Sequence, residues 1–319
     1  MQVFNAEEIK RVVGLDGDSL AAVESAFTAL TEGRVIMPAP MVLHLPEVDG
    51  EVHVKTATIK GLSGFAVKVA TGFYRNPEKG LPSSNGMVLY LDAETGIPVA
   101  VFADEGYLTD LRTALAGAIA AKYLAREDAK SVGVIGAGTQ ARWQVRALRL
   151  VREVQQVHLW ARRQDAAQRL LEEFASQDGL NVQVSPTIEA LAQHSEIVIT
   201  ATPSREALLH AHHLRPGMHV TAMGSGGPGN REVSSETLTH ADLVVCDSID
   251  QCSRLGELQY LNEAQRSHIA PKLAELGEIT AGKRPGRTSH EQVTICDLTG
   301  VGAQDTAIAN LAWERLTKT

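Results

Sequence analysis

Three observations predict an α/β fold in two parts for this 319-residue chain. From Ser131 onward, short apolar runs alternate with amphipathic helical stretches, the pattern of βαβ units and a parallel sheet. Before Ser131, two helical stretches lead into extended segments with partial alternation, which predicts an α+β arrangement. Between the two parts stands "SVGVIGAGTQAR", an apolar run that meets a glycine-rich turn. The composition, 44% hydrophobic and 21% charged, is that of an ordinary globular protein.

The elements follow in order. Asn5 is placed to cap a first helix, with Glu7 and Glu8 in its first turn and Ile9, Val12 and Val13 as its apolar stripe. A second helix is expected over Asp18 to Thr31, with Leu20, Val23, Phe27 and Leu30 on one face. "MVLHLP", "EVHVKTATI" and "GFAVKVATGF" read as strands, and "GMVLYLDAETGIPVAVFAD" as a hairpin turning at Ala93 to Gly96. The alanine-rich stretch from Thr109 to Ala125 is helical. "SVGVIGAG", "VQQVHLWAR", "LNVQVS", "SEIVITATP", "GMHVTAMGS" and "ADLVVCDS" supply the strands of the parallel sheet. The last segment, "EQVTICDLTGVGAQDTAIANLAWERL", gives one more strand, a turn and a closing helix. The expected division is residues 1–119 with 306–319 as one domain and 120–305 as the other, with the active site in a cleft between them.

The run Gly136 to Ala141 fits G-x-G-x-x-A after a strand and before a helix, so the second part is read as a Rossmann-type, dinucleotide-binding domain. Gly136 allows the tight turn, Gly138 lets the backbone approach a pyrophosphate, and Ala141 lets the helix pack on the strand. The next strand ends Ala161-Arg162-Arg163, where a chain that prefers NAD usually carries an acid for the ribose 2′-hydroxyl. Two cations there favour NADP(H), with NAD(H) possible if they are solvated surface groups.

The net charge of −8 argues against a nucleic-acid or anionic-membrane partner. No apolar run is long enough to cross a bilayer, and the start "MQVFNAEEIKRVV" lacks the features of a signal peptide. Cys246, Cys252 and Cys296 form no CxxC pair and no zinc spacing, which suits a reducing cytoplasm. No metal is expected. His210, His212 and His213 lack an accompanying ligand at useful spacing and read as a solvated cluster at a helix start.

Several segments together resemble the ornithine cyclodeaminase/mu-crystallin family: "FAVKVATGFYRNP", "GLPSSNGMVLYLDAETG", "LTDLRTALAGAIAAKYLA", "VGVIGAGTQA" and "GVGAQDTAIA", in order. "VKTATIKGLSGFAVK" and "EGYLTDLRTA" look closest to its ectoine-utilisation and iminosuccinate-reductase branch. The resemblance implies a homodimer, a Rossmann domain and an N-terminal domain that holds the substrate and dimerises. It also implies roles. Lys68 would stand beside the substrate carboxylate and reacting nitrogen, and Arg112 would bind that carboxylate. Ser83 would lie near the nicotinamide, with Thr139 and Gln140 at the pyrophosphate. Thr202 and the run Ala222 to Ser225, with Met223 and Gly224, would line the nicotinamide-ribose side. Leu298 and Thr299 would flank the pocket, Thr299 toward the substrate.

The chemistry of these residue types agrees. An α-imino acid needs a cation for its carboxylate, and the arginine fork offers two parallel donors. A lysine near a cationic arginine in an apolar strand can have a depressed pKa and act as general acid; the alternative for Lys68 is a snorkelling strand lysine. Lys55 is a second strand lysine that could assist carboxylate binding, and His44 stands near another substrate position of the family. One departure bears on the reaction. Where cyclodeaminases carry an aspartate for the substrate amine, this chain has Gly226, and Glu232 lies beyond the turn. The expectation is an NAD(P)H-dependent reductase of a small α-imino acid such as iminosuccinate, iminopropionate or pyrroline-2-carboxylate, or in reverse an amino-acid dehydrogenase. A cyclodeaminase and an NADPH-dependent ligand-binding protein stay open as alternatives.

Overall fold

The computed structural model describes residues 1–227 and 229–318. The chain divides into two compact units, Met1–Thr113 with Val301–Thr319, and Ala114–Gly300. The expected borders at 119/120 and 305/306 therefore lie several residues from those of the structure. The closing helix begins at Gly302, and its whole length, Asp305 included, packs within the first unit.

The first unit is built on a seven-stranded sheet: β1 Gln2–Asn5, β2 Val35–Ile36, β3 Met41–Leu45, β4 Gly50–Ile59, β5 Gly64–Phe73, β6 Ser84–Asp92 and β7 Pro98–Ala103. The order is β1-β7-β6-β5-β4-β2, with β3 also on β4; β1 pairs parallel with β7 and the other pairs are antiparallel. Helix α1 (Ala6–Val12) starts with the expected Asn5 cap, which forms a capping box with Glu8. Helix α2 (Gly17–Thr31) is capped by Asp16, whose carboxylate accepts from Ser19 N at 2.7 Å.

Side chains alternate across the strands. One face carries Ala57, Ala66, Val88, Tyr90, Ala100 and Phe102, all buried, and with them Lys55 and Lys68. The C-terminal helix (Gly302–Thr317) lies on β4 and β5. Its approach is close, because a Cβ at Gly302 would sit 2.6 Å from Thr56 O. Tyr90 packs against Phe102 and Trp313, with ring centroids 5.9 and 5.5 Å away. Tyr90 and Phe102, each fully enclosed, contribute roughly 1.5–3 kcal/mol apiece. Polar groups fix the helix register. Thr306 Oγ1 accepts from Ala66 N and donates to Ala57 O, bridging both strands, while Asn310 accepts from Gly64 N and the Tyr90 hydroxyl.

Helix α3 (Tyr107–Leu124) follows β7 and runs across the border between the units. The second unit then alternates as predicted: β8 Ser131–Ile135, α4 Thr139–Leu148, β9 Gln156–Trp160, α5 Gln164–Glu173, β10 Asn181–Val184, α6 Ile188–Gln193, β11 Ile197–Thr200, β12 His219–Ala222, α7 Ser235–His240, β13 Leu243–Cys246, α8 Ile249–Leu255, β14 Leu273–Glu275 and β15 Thr294–Asp297. All strands are parallel, in the order β10-β9-β8-β11-β12-β15-β13-β14. The winding reverses between β8 and β11, the switch point at which such sheets bind ligands beyond their C-terminal ends. Strands covered on both faces need no polar alternation, and β11, β12, β13 and β15 are buried at every residue.

Candidate active site

In the first unit, the antiparallel register sets Lys55 directly opposite Lys68. Both are buried, and Lys68 is only 2% exposed. Two like charges facing each other across a ladder are unfavourable unless an anion joins them. The C-terminal helix supplies it. Asp305 Oδ2 lies 3.1 Å from Lys68 Nζ and Asp305 Oδ1 lies 2.9 Å from Arg112 Nε, at ion-pair distance but outside hydrogen-bond geometry. Arg112, on α3, also donates from Nη1 to Gln304 Oε1 at 3.3 Å. Burial is the main reason that the Lys68 ammonium is pushed down to about 7, with Arg112 and Lys55 adding to the effect and Asp305 opposing it. For Asp305, burial works against the charge, yet Lys68, Arg112 and Lys55 outweigh it and hold the carboxyl below its usual range.

The snorkelling alternative for Lys68 fails on burial, since its amine ends on Asp305 and not in solvent. Lys55 joins the same cluster through the register and its charge. His44 is exposed on β3. Asp305 was missed by sequence reasoning. Its signal was a single carboxylate inside "GAQDTAIANLA", a stretch whose small residues mark a closely packed helix.

Asp104 is a further buried acid of this unit. Its Oδ2 accepts from Leu108 N at 2.7 Å, while Oδ1 has no partner, and burial raises its carboxyl to about 6. The turn after it holds Glu105 at φ 57, a left-handed conformation rare outside glycine.

In the second unit, Gly136 ends β8 with φ 128, and a Cβ there would meet Ala201 O at 2.5 Å. Only glycine fits that position. Gly138 is the N-cap of α4, and a Cβ there would meet nothing within 4 Å, so one side of the turn is open to a ligand. Thr139 and Gln140 begin α4, and Ala141 is buried against the sheet. This cradle fits a dinucleotide pyrophosphate, which would face the N–H groups of the helix start. Arg162 and Arg163 are exposed and, among the described residues, have no ion-pair partner. Asp165, in the first turn of α5, pairs with Arg169 at 2.8 Å.

Thr202, Met223 and Gly224 lie just past the ends of β11 and β12. Ser225 is buried and donates to Asn230 O. Gly226 has open space around its Cβ position, with Thr299 O the nearest atom at 4.0 Å. Leu298 is buried and donates from its backbone to Ala222 O. The Thr299 hydroxyl donates to Asp247 Oδ1 at 3.0 Å and accepts from Gln251 at 2.8 Å, so it is held by this unit's own side chains. Ser83 differs from the other nominated cofactor residues in belonging to the first unit, just before β6.

The fold brings together Cys246, Cys252 and Asp297, whose ligand atoms lie within 4.8 Å of one another, a grouping that no sequence spacing showed. Both cysteines are part of the apolar core, and burial pushes the Cys246 thiol up to about 11 and holds Cys252 well above the usual thiol range. They are packed as neutral thiols, Cys252 donating to Asp247 at 3.3 Å. The histidine trio sits at a 3-10 turn (Ala211–His213), but His213 is buried rather than solvated and its Nδ1 accepts from His210 N. No helix is long and apolar enough to cross a membrane among the described residues.

A glycine turn at the switch point of an all-parallel sheet defines the second unit as a Rossmann-type domain. The sequence profile of the ornithine cyclodeaminase/mu-crystallin family matches residues 1–319, and the chain belongs to that family. It is 44% identical to a cyclodeaminase of Sinorhizobium fredii described as uncharacterized, over 99% of this chain and 96% of that protein. It is 35% identical to the alanine dehydrogenase of Archaeoglobus fulgidus, over 98% and 94%. The Δ1-pyrroline-2-carboxylate reductase of Thermococcus litoralis, solved with NADH and L-proline, superposes with a TM-score of 0.92 at 29% identity, covering 100% of this chain and 98% of that one.

Proposed function

We propose that the chain is an NAD(P)H-dependent reductase of a small α-imino acid, and in reverse an amino-acid dehydrogenase. The observation that carries this reading is the buried cluster in which Lys68, Arg112 and Lys55 gather around Asp305. Such a gathering of buried basic side chains favours an anionic ligand, and a substrate carboxylate meets it, with Arg112 as the bidentate partner. Gly136, Gly138, Thr139, Gln140 and Ala141 would hold the dinucleotide. The bound reduced nicotinamide supplies a hydride.

Reduction of C=N adds hydride to carbon and a proton to nitrogen. Lys68, brought down to about 7, holds a transferable proton near neutral pH, and Asp305 keeps its amine oriented. In the reverse direction the neutral amine accepts that proton. Arg162 and Arg163 support a preference for NADP(H), and NAD(H) is the alternative.

We also propose a homodimer formed through the first unit. The sheet face opposite Lys68 carries an apolar row, Met41, Val54, Val69 and Met87, paired in register across β3 to β6. A second row, Val67, Leu89, Val101 and Val3, runs beside it, and Met41, Met87 and Val3 are exposed.

The test is a substrate screen read by nicotinamide absorbance. Oxidation of NADH or NADPH with small cyclic imines, or with small 2-oxo acids plus ammonia, is the expected result. Rapid conversion of ornithine to proline with NAD would establish the cyclodeaminase reading instead. Tight NADPH binding without turnover in any assay would establish a ligand-binding role.

A further inference from the structure

Glu232 is fully buried in the second unit and its carboxylate receives four donors. Oε1 accepts from Thr202 N at 2.6 Å and Thr202 Oγ1 at 2.7 Å, and Oε2 accepts from Thr200 Oγ1 and Gly224 N, both at 2.7 Å. All four come from the C-terminal ends of β11 and β12. The packing around it is tight: a Cβ at Gly224 would lie 2.1 Å from Thr202 O and 2.5 Å from Glu232 Cδ. Position 224 must therefore be glycine for the two strand ends to close on the carboxylate.

Glu232 is itself held by acids. Its backbone N–H donates to Glu257 Oε1 at 2.7 Å, and Glu257 N donates to Asp297 Oδ2 at 2.8 Å. Three buried carboxylates thus run in series from the end of β15 to the ends of β12 and β11, each tied to the next through a backbone N–H. Burial raises the Glu232 pKa, and the Thr200, Thr202 and Gly224 donors work against that rise.

We propose that Glu232 is a positioning residue for the cofactor: it locks Thr202 and Gly224 into one rigid edge against which the nicotinamide end of the dinucleotide is held. The inference rests on the cofactor reading above, and it goes beyond it by assigning a role to a side chain that touches neither substrate nor the glycine turn. The pyrophosphate cradle at Gly136 to Ala141 belongs to a different loop and makes no hydrogen bond to Glu232 among the described residues, its one link being Gly136 packed on Ala201 O and the Thr202 methyl.

That separation supplies the test. Glu232→Gln keeps the volume but replaces one acceptor oxygen by an amide N–H₂ that faces donors. Binding of NADH and of ADP-ribose, which lacks the nicotinamide, is measured for the parent and the variant by protein fluorescence and calorimetry. The expected result is a Kd for NADH raised roughly tenfold or more, with the Kd for ADP-ribose changed less than about threefold. If both ligands weaken alike, or neither does, Glu232 is a structural residue and the inference is overturned. If the parent binds neither NADH nor NADPH, the cofactor reading itself falls, and this inference with it. Thr200→Val, which removes one donor and keeps the shape, carries the same comparison should Glu232→Gln not fold. It is expected to raise the NADH Kd about threefold and leave ADP-ribose unchanged; equal effects on both would overturn the inference.

Discussion

Lys55 and Lys68 stand directly opposite each other on neighbouring strands, buried, with Asp305 of the C-terminal helix at ion-pair distance from Lys68. A pair of like charges in that register costs stability, and Asp305 offsets that cost by its closeness to both Lys68 and Arg112. Burial, more than any neighbouring charge, sets where Lys68 gives up its proton.

Removing the Lys68 ammonium tests its proton role. Lys68→Met keeps the apolar stem, and turnover is expected to fall by about a hundredfold or more, with NADH affinity within a few-fold of the parent. In the parent, the reductive rate should decline as pH rises through about 7, because only the protonated amine can donate. Survival of turnover within a few-fold, with the pH profile unchanged, would assign the proton to another group.

The same lysine makes a stability prediction. Unfolded, it holds its proton up to about 10.4; folded, it gives the proton up near 7. Between those values the unfolded state binds more protons, so stability attributable to Lys68 rises with pH. Thermal unfolding of the parent and Lys68→Met across pH 7 to 10 should show the parent gaining relative to the variant; parallel curves would contradict the burial argument.

Asp305→Asn strips the cluster of its anion. Lys68 and Arg112 then lose the buried carboxylate they share, a loss on the order of 3–5 kcal/mol. In the parent, the stability that Asp305 provides is present above the ordinary aspartate range and is lost as pH falls through its depressed value. The variant's reductive pH profile should also move to lower pH, since Asp305 is what keeps Lys68 from falling further. A variant as stable as the parent, with the same midpoint, would show that Asp305 is not charged in the cluster.

Cofactor preference turns on Arg162. If it meets a 2′-phosphate, NADPH binds more tightly than NADH, and Arg162→Asp reverses the order by charge repulsion. Equal affinities in the parent, unaltered by the substitution, would remove the arginine from the argument.

The open apolar face of the first unit predicts a dimer. Sedimentation should give twice the chain mass, and Val69→Glu with Met87→Glu should shift it to monomer, because two charges would have to be buried in the interface. A parent that sediments as a monomer at micromolar concentration would refute the assembly.

The sequence by itself determined the periodic and the local. Alternation and apolar runs placed the strands, Asn5 placed a helix start, and the glycines at 136 and 138 with Ala141 placed the nucleotide turn, because these depend on neighbours a few residues away. It also singled out Lys68, since a charge in an apolar strand demands a partner, and the family resemblance nominated Arg112. Asp305 and Glu232 were beyond its reach. Asp305 is 237 positions from Lys68 in "GAQDTAIA" and meets it only because Thr306 and Asn310 set the helix register on β4 and β5. Glu232 reads as a surface acid after a glycine-rich loop until β11 and β12 close their ends around it. Only tertiary structure decided these, because the worth of a buried carboxylate lies in which distant donors surround it, and that is a property of packing rather than of sequence spacing.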